Sequence, residues 1–138
     1  MLAEDQLEVD YRYPQPNRIV TLEQNYKAPK KIILSLPQLK VRLAFTRKGD
    51  VTVATITSAS WLSHKDGWKR GGISGVSAVS YRNPEDEPSA FVGDRVAAKR
   101  VLDAIVSVDE ILPETARLLY SIFRREQRKL AGWRGVES

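Results

Sequence analysis

The feature that most constrains this chain is a change of hydrophobic period about two thirds of the way along it. Up to Tyr81 apolar residues tend to alternate with polar ones; beyond Phe91 they recur every three or four positions. Alternation lines one face of a strand, and the longer repeat lines one face of a helix. Between the two regimes stands Asn83-Pro84-Glu85-Asp86-Glu87-Pro88, which can continue no strand because proline donates no ladder hydrogen bond. The expected class is therefore α+β: an antiparallel sheet of about five strands followed by two C-terminal helices packed on one face. Strands are expected in residues 1–81, an acidic proline-bounded connector in 82–90 and the helices in 91–132. The 138 residues suit a single domain.

Within the strand part, Leu7, Val9, Tyr11 and Tyr13 alternate with polar neighbours until Pro14 and Pro16 break the run. A returning strand is expected over 18–23 and a short apolar one over 31–36, ended by Pro37. The clearest hairpin pairs Val41, Leu43 and Phe45 with Val51, Val53 and Ile56 across the four-residue junction Arg47-Lys48-Gly49-Asp50, which suits a loop built around a type I turn with Gly49 able to take a positive φ. Residues 60–75, with four glycines and two tryptophans, read as an irregular loop, and 76–81 as one more strand.

In the helical part, Ala97, Val101, Ala104, Ile105 and Val108 keep helical spacing, with Asp94 placed near the positive N-terminal end. A second helix is expected to start at Pro113, to bury Ala116, Leu119, Tyr120, Phe123 and Leu130, and to end at Gly132.

Charge narrows the function. The net charge is +5, and residues 40–70 alone hold Lys40, Arg42, Arg47, Lys48, Lys65, Lys69 and Arg70 against Asp50 and Asp66. Nucleic acid is the commonest partner for such a surface. No cysteine is present, which removes disulfides, thiolate metal sites and cysteine nucleophiles. With His64 the sole histidine, neither a zinc site nor a triad can be assembled, and the consecutive Glu85, Asp86 and Glu87 are poorly placed to converge on one ion. No cofactor, metal or catalytic residue is expected. The acidic start and the absence of a long apolar run point to a cytoplasmic chain with no membrane partner.

The residues best suited to meet a partner are the hairpin tip Arg47 and Lys48, the aromatic and basic series Trp61, His64, Lys65, Trp68, Lys69 and Arg70, and a second basic patch of Arg124, Arg125, Arg128 and Lys129. Rings can stack on bases while cations track phosphates. For the two tryptophans of the loop, capping the core beneath it is the competing role.

The run Gly75-Val76-Ser77-Ala78-Val79-Ser80, followed by Pro84, Asp86, Phe91 and then Asp94-Arg95-Val96-Ala97-Ala98-Lys99-Arg100-Val101-Leu102, resembles a pattern in small phage and prophage proteins. Ser80 stands where those proteins usually carry cysteine, and Asp94 where they carry glycine. The resemblance implies a phage or mobile-element origin. Together these readings point to a non-enzymatic accessory protein that binds RNA or DNA. The alternative is a phage-encoded protein that inhibits or redirects a host complex such as RNA polymerase or defence machinery.

Overall fold

The computed structural model describes residues 23–63, 67–70, 73–83, 89–108 and 110–132, and side chains throughout these except at 63 and 68–70. Five antiparallel strand segments, β1 (Lys31–Leu36), β2 (Leu39–Lys48), β3 (Val51–Ser63), β4 (Gly67–Arg70) and β5 (Ser77–Tyr81), precede two helices, α1 (Ala90–Ser107) and α2 (Pro113–Leu130). The order across the sheet is β1-β2-β3-β4, with β5 also pairing β3, so the sheet is four strands wide.

The thirteen-residue β3 makes this possible. Its C-terminal part pairs β4, Ser60 opposite Arg70, while its N-terminal part pairs β5, Val51 opposite Tyr81. The switch falls at a bulge: Leu43 faces Ile56 and Arg42 faces Ser58, leaving Thr57 as the extra residue. The chain returning from β4 to β5 is held there by Gly75 N–H to the Ile56 carbonyl at 2.7 Å and Ile56 N–H to the Val76 carbonyl at 2.8 Å.

The hairpin between β2 and β3 closes at Lys48 and Val51, so the loop is not the expected four residues but a two-residue turn of Gly49 and Asp50, in which Gly49 takes φ 58°. A turn this tight matches the strand twist only with positive φ, which glycine supplies without strain. Residues 60–63 and 67–70 are strand where the sequence suggested irregular loop. Tryptophan favours strands, and Gly67, at φ 71°, pairs Ser63. The strand expected over 18–23 is corrected at its end, since residues 23–25 are helical; positions 18–22 and the strand expected over 7–13 lie outside the described residues, as does the 84–88 connector.

Ser89 caps α1, its hydroxyl accepting from Val92 N–H at 3.1 Å. Pro113 opens α2, and Gly132 follows it at φ 79°. Both helices cover the same face of the sheet, α1 over β3 and β5 and α2 over β1. The core between them is built from Leu34, Val41, Leu43, Phe45, Ala54 and Ile56 below and Ala97, Val101, Leu102, Ile105, Leu119 and Phe123 above. Phe45 and Phe123 meet with ring centroids 5.7 Å apart. None of the described helices is long and apolar enough to cross a membrane.

One polar cluster ties the layers together. Asp94 is fully buried and accepts from Tyr26 Oη at 2.6 Å, Arg47 Nε at 2.8 Å and Arg47 Nη2 at 2.5 Å. Arg47 Nη2 also reaches the Pro29 carbonyl. On the next residue, buried Arg95 donates to Gln127 Oε1 at 2.9 Å and lies over the Phe91 ring, and Gln127 returns a bond to the Phe91 carbonyl. Tyr26 meets Phe91 edge to face, and Lys27 N–H bonds the Leu130 carbonyl. Burial pushes the Asp94 carboxyl above its ordinary range against the opposing pull of Arg47 and Tyr26. Burial, and then the Asp94 charge, raise the Tyr26 phenol far above 10.0.

A phenol raised on folding contributes stability that is complete below its unfolded value of 10.0 and is lost as pH climbs beyond it. Urea midpoints of the native protein are expected to fall between about pH 9 and 11, around the free phenol's range. Tyr26→Phe should flatten that part of the curve relative to the native protein.

Candidate nucleic-acid interface

The strand sequences contain Lys31, Lys40, Arg42, Arg47, Lys48, Lys69 and Arg70 and no aspartate or glutamate. Alternation sorts the described ones between two faces. Leu39, Val41, Leu43 and Phe45 of β2 are buried under the helices, so Lys40, Arg42, Thr46 and Lys48 point to the other side, where all four are exposed. Ser60, Lys40 and Ser35 stand in register across one row, Ser58, Arg42 and Ile33 across the next, and Ser77, Thr55, Ala44 and Lys31 beyond. Lys48, Val51 and Tyr81 form the last row. Cations two residues apart on one strand lie about 7 Å apart.

No described element covers this face. It displays hydroxyls, among them Thr55 and Ser77 joined at 2.7 Å, with the exposed apolar side chains Ile33, Leu62 and Tyr81. Tyr81 is 72% exposed, a ring offered to solvent beside a cationic row. Chemically, the arrangement is a surface to which the strands contribute no carboxylate, combining positive charge, hydrogen-bond donors and an accessible ring, which suits a phosphate backbone with unpaired bases. Among the described residues no group of three or more histidine, cysteine or carboxylate side chains is placed to hold a metal ion.

The residues singled out from sequence fall into different places. Arg47 faces the core side and is paired with Asp94; its neighbour Lys48 is exposed on the open face. Trp61 likewise turns inward. It belongs to β3, is partly buried and packs against the core, because its register position puts it on the inner face. Trp68, Lys69 and Arg70 belong to β4, opposite Leu62, Trp61 and Ser60, with side chains outside the described set; His64 and Lys65 lie outside it altogether. Arg124, Arg125, Arg128 and Lys129 share the end of α2, but Arg124 lies over the Tyr120 ring and Lys129 pairs Glu126 at 3.3 Å. They are on the helical layer, apart from the open sheet face.

Lys31, Arg42 and Tyr81 were not singled out as contacts by sequence reasoning, nor was Lys40. The available signal was the absence of carboxylates from every strand combined with alternation. No known protein family, curated protein or solved structure matches the chain.

The two neighbours at the hairpin tip should separate in a denaturation experiment. Arg47→Ala strands a buried carboxylate and is expected to cost roughly 3 kcal/mol of stability, whereas Lys48→Ala should stay within about 0.5 kcal/mol of the native protein.

Proposed function

We propose that the protein is a non-enzymatic accessory factor that binds single-stranded RNA or DNA on the open face of its sheet. We further assign it a phage or mobile-element origin and a place in the cytoplasm of the host, on the likeness spanning Gly75 to Leu102 and on the chain's composition. The observation that carries the binding reading is the segregation of charge. Lys31, Lys40, Arg42 and Lys48 share an exposed face to which no strand contributes a carboxylate, and Tyr81 offers a ring at its edge. Cations release counterions from phosphates and give affinity without sequence preference, while an exposed ring stacks on any base.

Fluorescence anisotropy with a labelled oligonucleotide tests this. Binding should weaken with salt at a slope of about −0.7 for each phosphate neutralised, so four cations give a slope of roughly −3. Lys40→Ala combined with Arg42→Ala should flatten that slope by about 1.4. Absence of binding at about 50 mM salt, where such contacts are strong, overturns the reading. In a pull-down from host lysate, a protein partner retained after nuclease treatment would instead favour a factor that inhibits or redirects a host complex.

A further inference from the structure

A cavity of about 580 Å³ lies between the start of α1 and the end of the sheet's inner face, with Tyr81 of the open face also in its lining. The inner face is apolar along most of its length, with Phe45, Ala54 and Ala78 forming one row. At the next row it changes character: Arg47, Thr52 and Ser80 stand side by side across β2, β3 and β5. Thr52 is 8% exposed and Ser80 6%, and both line the cavity. Neither hydroxyl has a hydrogen-bond partner among the described residues. Two neighbouring unbonded hydroxyls on otherwise buried residues thus open on one cavity, and an occupant there can bond both.

The other walls bear on its charge. Ser89, Ala90 and Gly93 bring the N-terminal end of α1 to the cavity. Val92 N–H is taken by the Ser89 hydroxyl and Gly93 N–H by the Ser89 carbonyl, but the first two amides of a helix have no intrahelical acceptor. Gly93 permits the close approach, since a Cβ there would stand 2.8 Å from Thr52 Oγ1. Of the arginines lining the space, Arg47 is paired with Asp94 and Arg82 with Asp50. Arg100 donates to the Val79 carbonyl and pairs with no carboxylate among the described residues, while the carboxylates of Glu23 and Asp50 also line the space.

We propose that this cavity is a binding site for a phosphate monoester, with the Thr52 and Ser80 hydroxyls donating to its oxygens, Arg100 supplying charge and the first turn of α1 facing the anion. Helix N-termini favour phosphate for the combined reasons of free amides and the positive dipole end. Apart from Tyr81, the site shares no residue with the open sheet face. Its ligand is either a free small ester or the terminal phosphate of an oligonucleotide.

Amide-resolved NMR titration of the whole chain with inorganic phosphate and with phenyl phosphate tests the proposal. Saturable shifts are expected at Val92, Gly93 and Thr52, with the affinity for phenyl phosphate reduced at least tenfold in Thr52→Val combined with Ser80→Ala, and likewise in Arg100→Gln. Each variant's unperturbed amide spectrum away from the cavity shows that it has folded. A 5′-phosphorylated dinucleotide binding more tightly than phenyl phosphate and than its unphosphorylated form identifies a nucleic-acid end as the source; equal affinity for the two phosphorylated probes identifies a free ester. No saturable shift by about 10 mM of either phosphate probe, or equal affinity in the native protein and all variants, overturns the site.

Discussion

The interaction on which the rest of this structure depends is the buried carboxylate of Asp94, held between the Tyr26 phenol and the Arg47 guanidinium. Removing a carboxylate from water is unfavourable, and only close, well-directed partners offset it. Those partners come from the segment leading into β1 and from the end of β2, while the carboxylate itself sits in α1. Arg95 and Gln127 extend the cluster to α2. Four parts of the chain are thus fixed relative to one another by groups that cannot be satisfied separately. A single turn of α1 carries much of this: Gly93 lets the helix approach Thr52, Asp94 takes Arg47, and Arg95 takes Gln127.

This clamp also decides which arginine is available for other work. Arg47 neutralises Asp94 and so belongs to the fold, whereas Lys48, one residue on, projects from the opposite face of the same strand. The difference follows from the pleat, which turns successive side chains to opposite sides. Because the strands hold no carboxylate, the exposed Lys31, Arg42 and Lys48 find no acidic neighbour within their own strands. Acids among the described residues are placed in turns and helices, as with Asp50, Asp103 and Glu126.

The two faces therefore divide the chemistry. The inner one is apolar until its last row, where hydroxyls and arginine meet the start of α1 beside a cavity. The outer one is polar, cationic and uncovered by any described element. Four of the residues named from sequence, Arg124, Arg125, Arg128 and Lys129, lie on neither, since α2 places them on the helical layer. Clustering along the chain is a poor guide to clustering in space when sheet and helix intervene.

The sequence by itself determined the order of elements, because hydrophobic period and proline placement act locally. β1 over 31–36, the β2–β3 hairpin with its glycine turn, α1 and the Pro113 start of α2 were all legible in it. It also determined that the strands would be basic. It did not reveal that residues 60–63 and 67–70 pair as strands, since tryptophan and glycine suit either a loop or a strand until a partner is present. Nor could it show that Arg47 and Trp61 serve the interior, or that Asp94, expected merely to complement the helix dipole, is the buried acceptor of residues 47 and 68 positions away. Those assignments require register and the packing of α1 over the sheet. Only tertiary structure decides them, because burial and charge pairing depend on distances between segments that local sequence does not encode.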